Sequence, residues 1–116
     1  MMYQRSYAES LESSPGECRE RERRALDHAL QLLEKARHDG VGSAAAAEAL
    51  HFLCRLWKAL IEDLISPEND LPDVLRGDLV SVGIWVLREA DSIREEKSSN
   101  FRGLIEICSA IRNGLR

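Results

Sequence analysis

The residues that could do chemistry in this chain are few and scattered. His51 and Cys54 lie three positions apart, a spacing at which two zinc ligands can share one face of a helix. No third or fourth ligand stands at a matching distance, so a surface histidine beside a core cysteine is the simpler interpretation. The cysteines Cys18, Cys54 and Cys108 are odd in number and far apart. We therefore expect reduced, buried thiols and no required metal, cofactor or disulfide.

Two adjacent carboxylates form a second candidate. Glu62 and Asp63 stand near the predicted end of a helix, where the macrodipole disfavours negative charge, and could act as an acid–base pair. Adjacent helical residues point about 100° apart, however, and no histidine, nucleophile or glycine-rich loop accompanies them. The default interpretation is a structural one, in which they pair with Lys58, Arg76 or Arg88. The sequence therefore favours a protein that is not an enzyme.

The run RERERR at 19–24 is a third candidate, because its arginines could contact RNA phosphates. Its glutamates dilute the positive charge, and no aromatic residue interleaves for base stacking. The net charge of −4 and the pI near 5.4 also argue against a nucleic-acid backbone as the main partner. We interpret the run as a solvated helix face, and direct binding of nucleic acid is disfavoured.

Four stretches of helical period must position these residues. The predicted helices run from Pro15, capped by Ser14, to DGVGS at 39–43; from the cap Ser43 to about Ser66; from about 72 to 97; and from about Asn100 onward. Ahead of them, Tyr3, Tyr7 and Leu11 predict a short amphipathic docking segment at 1–13, which must lie on a surface of the bundle or remain loose. No alternating strand pattern occurs. The sequence predicts an all-α single domain over 1–116, a small bundle of about four main helices with this N-terminal segment.

The second predicted helix carries the widest apolar surface. Its main face is formed by Leu50, Leu53, Trp57, Leu60, Ile61 and Leu64, widened by Phe52 and Leu56, and its polar side by His51, Arg55, Lys58 and Glu62. We therefore expect it to be central. Because the connection SPENDLP is short, it should pair in antiparallel fashion with the third helix.

The third predicted helix is apolar on two sides. One face holds Leu75, Leu79, Val82, Val86 and Ile93, and a second holds Val80, Ile84 and Leu87. Gly77 and Gly83 inside it indicate close approach by a neighbouring backbone or a partner. The stripes of the first and last helices are Ala25, Ala29, Leu32, Leu33 and Ala36, and Phe101, Leu104, Ile105, Cys108, Ile111 and Leu115.

The surplus of apolar helical surface indicates an interaction protein. The candidate partner-binding residues are Phe52, Leu56, Trp57, Val80, Ile84, Trp85 and Leu87. If they form a groove, Ile84→Lys or Leu56→Lys should abolish partner binding and leave the fold intact. The alternative is that these residues, the two tryptophans included, are core, and a lysine there would unfold the domain.

Nothing in the sequence predicts a membrane protein. The N-terminus has no apolar signal region, and the longest apolar stretch, VSVGIWVL at 80–87, is far below the ~20 residues that a bilayer span needs. We expect a cytoplasmic protein with no membrane partner.

Several segments together carry a family resemblance. They are MYQRSYAE, SPGECRERERRALD, LHFLCRLWKALIEDLISPENDLP, DLVSVGIWVLREADSIR and NFRGLIEICSAIRNGL. In their order and spacing, over nearly the whole length, the chain resembles the FlaF family of flagellar biosynthesis regulators from alphaproteobacteria.

This resemblance implies a cytoplasmic, non-enzymatic protein for flagellum biogenesis and motility, needed for flagellin synthesis or export. It implies flagellin as the partner and, beside it, a companion post-transcriptional regulator of flagellin. An all-α chaperone or adaptor could cover the helical terminal regions of flagellin by helix-in-groove packing. The alternative is a regulator that binds mRNA and controls flagellin translation directly.

Overall fold

A computed structural model describes residues 15–114, with side chains described for residues 19–114. Over that range the chain forms helices and no strand: α1 (Pro15–Asp39), α2 (Ala44–Leu64), α3 (Asp73–Arg94) and α4 (Phe101–Gly114). The predicted all-α bundle is confirmed. The expected docking segment at 1–13, the cap Ser14 and the stripe residue Leu115 lie outside the described residues.

The turn between α1 and α2 forms as the sequence predicts. Gly40 and Gly42 adopt positive φ angles of 99° and 85°, a conformation that glycine reaches without steric cost. The Ser43 Oγ then accepts a hydrogen bond from the Ala46 N–H at 3.0 Å and caps α2. This short turn sets α1 and α2 side by side.

The SPENDLP turn ends α2 at Leu64, earlier than the predicted Ser66. Asn69 is the reason, because its Nδ2 donates to the Asp63 carbonyl at 3.1 Å and its Oδ1 accepts from the Leu71 N–H at 3.0 Å. These bonds satisfy the backbone where α2 stops. The next helix, α3, also ends earlier than predicted, at Arg94, and Glu96 just beyond it has a φ of 61°.

The four helices form an open arrangement in which α2 is central. It packs against α1 on one side and α3 on the other, α1 also packs against α4, and α3 and α4 touch only sparsely. The pairing of α2 with α3 is antiparallel, as predicted: Gly83 lies against Ile61, and the Arg94 Nη2 donates to the Cys54 Sγ at 3.4 Å. Among the described helices, none therefore lies along one long side of α3.

The core confirms the predicted stripe of α2 and its polar side. His51, Arg55, Lys58 and Glu62 are exposed, whereas Trp57 is among the most deeply buried side chains of the described chain. On α1 the buried positions are Leu26, Ala29, Leu33 and Ala36. Leu26, which the sequence analysis left out of its stripe, is fully buried.

The two glycines inside α3 differ in their surroundings. A Cβ added at Gly83 would lie 2.8 Å from the Ile61 Cδ1 and 3.0 Å from the Trp57 Cε3, so α3 approaches α2 closely there, as predicted. Around Gly77 no described atom lies within 4 Å, so no neighbouring helix approaches there, and close approach by a partner stays a prediction at that position. Close contact between α2 and α3 is thus local to Gly83.

The last helix is tied to the first by an ion pair. The Arg112 Nε donates to the Asp27 Oδ1 at 2.7 Å, and its Nη2 lies 3.4 Å from the Oδ2. This bond with Asp27 also raises the pKa of Arg112 above its ordinary value. Within residues 15–114, no helix is both long enough and apolar enough to cross a bilayer.

Candidate functional site

The seven candidate partner-binding residues do not form one surface. Leu56 and Trp57 are 5% and 1% exposed and belong to the core. Phe52, Val80 and Leu87 are partly buried. Only Ile84 and Trp85 are well exposed, at 42% and 41%.

The position of Trp57 answers the question that the sequence left open for it. Its ring lies against Gly83. Its buried indole N–H makes no hydrogen bond of good geometry within the described chain, and the Cys108 sulfur beside it is a weak acceptor. Burial raises the pKa of the Cys108 thiol to about 11, and the Trp57 N–H lowers it in part. Neither Trp57 nor Leu56 can contact a partner unless the bundle opens.

The helical period explains why Ile84 and Trp85 stay outside. In α3 the buried positions are Gly83, Val86, Ala90 and Ile93, which turn toward α2. At about 100° per residue, Trp85 stands on the opposite side of α3 from Ala90 and Gly83. Since α4 barely touches α3, nothing among the described residues covers that side. We call the pair Ile84 and Trp85 the α3 outer face.

A second group of exposed apolar side chains lies at the start of α3. It consists of Ile65, Leu71, Val74 and Leu75, which the sequence analysis did not select as partner residues. Leu75 was expected on the core face, but it is exposed because no described helix covers the first turn of α3. This group is separate from the α3 outer face, because Asp78 and Ser81 lie between Val74 and Trp85 along the helix.

The carboxylates have a different geometry from the one considered in the sequence. Glu62 is exposed, whereas Asp63 and Glu22 of α1 line the same cleft. Burial, and then the charge of Asp63, raise the pKa of Glu22 to about 7, against the lowering effects of Arg21 and Arg19. Sequence reasoning missed Glu22, although it falls on the buried stripe of α1 that continues through Leu26.

The basic residues that could pair with Glu62 and Asp63 are Lys58, Arg76 and Arg88. Arg76 forms an ion pair with Asp73, one turn earlier in α3, and its Nη1 donates to the Leu64 carbonyl at 3.5 Å. Arg76 therefore bonds to the last residue of α2 and pairs with Asp73, not with Glu62. Arg88 and Lys58 are exposed.

The other chemical candidates are not assembled into sites in the described part of the chain. His51 is exposed and Cys54 is buried, so the two do not share an accessible face. Among residues 15–114 no three His, Cys, Asp or Glu side chains come together as a group that could hold a metal ion. In the run at 19–24, Arg23 and Glu20 form an ion pair, with 3.7 Å between the Arg23 Nη2 and the Glu20 Oε2.

The comparisons with known proteins give one match. A family model described as flagellar protein FlaF matches residues 3–115, nearly the whole chain. No curated protein and no solved structure shows significant similarity to this chain. The match covers both the central helix and the α3 outer face.

Proposed function

This chain belongs to the FlaF family of flagellar proteins, and from that premise we propose that it is a cytoplasmic, non-enzymatic adaptor that binds flagellin. In this role it supports flagellin synthesis and secretion, as the resemblance implies. The companion post-transcriptional regulator of flagellin is the second partner of the proposal. The observation that carries the proposal is the α3 outer face.

The α3 outer face has the composition of a binding site for a helix. Ile84 and Trp85 are adjacent, large and exposed, and tryptophan is among the residue types that contribute most to binding at interfaces. The partly buried Val80 and Leu87 flank them on the same helix. An amphipathic helix from a terminal region of flagellin would cover this surface with its own apolar face.

A binding titration with purified flagellin tests the proposal. Trp85→Ala and Ile84→Lys should each weaken binding at least about tenfold, which corresponds to roughly 1.4 kcal/mol. The matched control is Ile65→Lys, the same change at an exposed isoleucine outside the α3 outer face. Equal affinity for the wild type and the α3 variants would contradict the site. Absence of any binding to flagellin would contradict the function.

Salt dependence distinguishes the adaptor from the mRNA-binding alternative. Apolar helix packing should change little between low and moderate salt, whereas an RNA complex made through several phosphates should weaken by orders of magnitude. The same titration with flagellin mRNA in place of flagellin provides the comparison. Tight, salt-sensitive binding of the mRNA, lost on replacing Arg19 and Arg24 with glutamine, would favour the alternative.

A further inference from the structure

The fourth helix is shorter than its neighbours, and the difference falls at one end of the bundle. It has 14 residues, whereas α1 has 25 and α3 has 22. At 1.5 Å per residue, α4 is about 12 Å shorter than α3 and about 16 Å shorter than α1. The last turn of α4 lies beside Asp27 of α1, because Arg112 forms an ion pair with it. The first turns of α1 therefore extend past the end of α4.

A half-open cleft of about 110 Å³ lies at this end. Its lining comes from all four helices and the SPENDLP turn: Glu22, Leu26, Trp57, Leu60, Asp63, Leu64, Asn69, Leu71, Leu79 and Ile111. Most of these side chains are apolar, and Leu71 at the rim is exposed, as is Leu75 on the adjoining first turn of α3. The cleft therefore offers apolar area for a small occupant.

The polar part of the cleft accepts hydrogen bonds. Glu22 and Asp63 both line it, and burial together with the neighbouring carboxylate makes ionisation of Glu22 costly. Carboxylate oxygens accept more than one hydrogen bond, so hydroxyl donors from an occupant could add bonds to them and still place apolar atoms on the floor of the cleft. A tyrosine side chain combines both properties.

The chain before Pro15 leaves α1 at this end and has this chemistry. Tyr3, Tyr7 and Leu11 recur at four-residue spacing. Tyr7 precedes Pro15 by eight residues and Glu22 follows it by seven; Tyr3 precedes it by twelve and Leu26 follows it by eleven. A segment that turned back along α1 with a helical rise would bring Tyr7 level with Glu22, and Tyr3 level with Leu26.

We propose that residues 3–11 of this same chain dock in the cleft, with Tyr3 and Tyr7 on its apolar floor and their hydroxyls donating to Glu22 and Asp63. The segment completes the bundle at the end where α4 stops. Because it is covalently attached, its effective concentration at the cleft is in the range of millimolar. A partner that used the cleft would first have to displace it.

Paramagnetic broadening of amide signals in the full-length chain tests this docking. A nitroxide is attached at Ser6→Cys, a position away from the predicted tyrosine face, with Cys18→Ser to keep the labelling specific. We expect loss of signal for amides of residues 60–64 and 71–79, and unchanged signals for residues 36–50 at the other end. The loss should persist when the labelled chain is diluted into unlabelled chain.

Two sets of substitutions in the labelled chain provide the controls. Tyr3→Ala, Tyr7→Ala and Leu11→Ala together should restore the cleft signals, while Glu9→Ala and Glu12→Ala together should leave them broadened. Absence of broadening near the cleft overturns the proposal, and so does equal restoration by both sets. Broadening that disappears on dilution also overturns it, because a second copy of the chain would then be the occupant.

Discussion

The helices α2 and α3 are nearly equal in length but differ in how they are used. Ten of the 21 residues of α2 are buried, against four of the 22 residues of α3. Their tryptophans show the same contrast, since Trp57 is enclosed and Trp85 is 41% exposed. Two helices that look similarly apolar in sequence are therefore covered to different degrees: α2 is enclosed by its neighbours, whereas no described helix covers one side of α3.

The cause of the difference is the number of neighbours. Since α2 lies between α1 and α3, its apolar residues are covered on both sides, whereas α3 packs mainly on α2 and hardly on α4. Burying a large apolar side chain contributes about 1.5–3 kcal/mol to folding. We therefore expect substitutions in α2 to act on stability, and substitutions on the α3 outer face to act on binding.

The largest effect should come from Leu56→Lys. Leu56 is 5% exposed in the middle of α2, and a lysine there would bring an unpaired charge into the core. We expect a loss of at least about 4 kcal/mol in the free energy of unfolding, measured by urea denaturation. Any loss of flagellin binding in this variant would follow from unfolding. A cooperative melt close to that of the wild type would show that α2 is not the central helix.

The next prediction concerns Glu22 of α1, whose protonation makes the free energy of unfolding depend on pH. Its pKa is about 7 in the folded protein, against an ordinary value of 4.5, so the folded state holds an extra proton between these pH values. The free energy of unfolding should therefore fall by an amount on the order of 3 kcal/mol as pH rises from 4.5 to 7 through this group.

Glu22→Gln should remove this fall and raise stability at pH 8, and Glu62→Gln, the same change at an exposed carboxylate, is the matched control. Denaturation midpoints across pH 4.5–8 give the comparison. Identical profiles for the wild type and Glu22→Gln would contradict the placement of this partly buried carboxylate beside Asp63.

The two glycines of α3 should respond in opposite directions to alanine. At Gly83 the new methyl group would press on Ile61 and Trp57, and we expect a loss of about 1–2 kcal/mol in the free energy of unfolding. At Gly77 there is open space, and alanine should gain up to about 1 kcal/mol through helix propensity. Thermal melts of the two variants check the signs. A stabilised Gly83→Ala would mean that α2 and α3 are not in close contact there.

The smallest effect on stability should come from the α3 outer face itself. Ile84→Lys replaces a side chain that is already 42% exposed, and we expect a change within about 0.5 kcal/mol. From the sequence alone Ile84→Lys and Leu56→Lys have the same expected effect, but their exposures of 42% and 5% separate them. Urea denaturation of both variants measures the difference in their free energies of unfolding. A strong destabilisation by Ile84→Lys would place Ile84 in the core.

Much of the fold could be predicted because local signals agreed with one another. The glycines at 40 and 42 and the cap Ser43 set the first turn, and helical periodicity gave the stripe of α2. Helix ends shifted where a side chain of the following turn bonded to the last turn of the helix, as at Asn69. Leu26 was overlooked although it continues the stripe of α1.

The site was harder to predict because an apolar residue looks the same whether a neighbour covers it or not. Trp57 and Trp85 each lie on an apolar helix. They differ in burial because α2 has a helix on each side, whereas α3 has few contacts with α4. Glu22 and Asp63 are 41 positions apart in the sequence, so their proximity required the pairing of α1 with α2. Periodicity gives the face of a helix, but not which neighbour covers it.

Hydrogen exchange with and without flagellin tests most directly whether α3 carries the binding surface. Saturating flagellin should slow amide exchange across residues 80–88 of α3, and the effect should disappear in the Trp85→Ala variant. In α2, around Leu53 to Trp57, exchange should be slow already in the free chain because that region is enclosed, and flagellin should change it little. Protection confined to other helices, with residues 80–88 unchanged under saturating flagellin, would contradict the account.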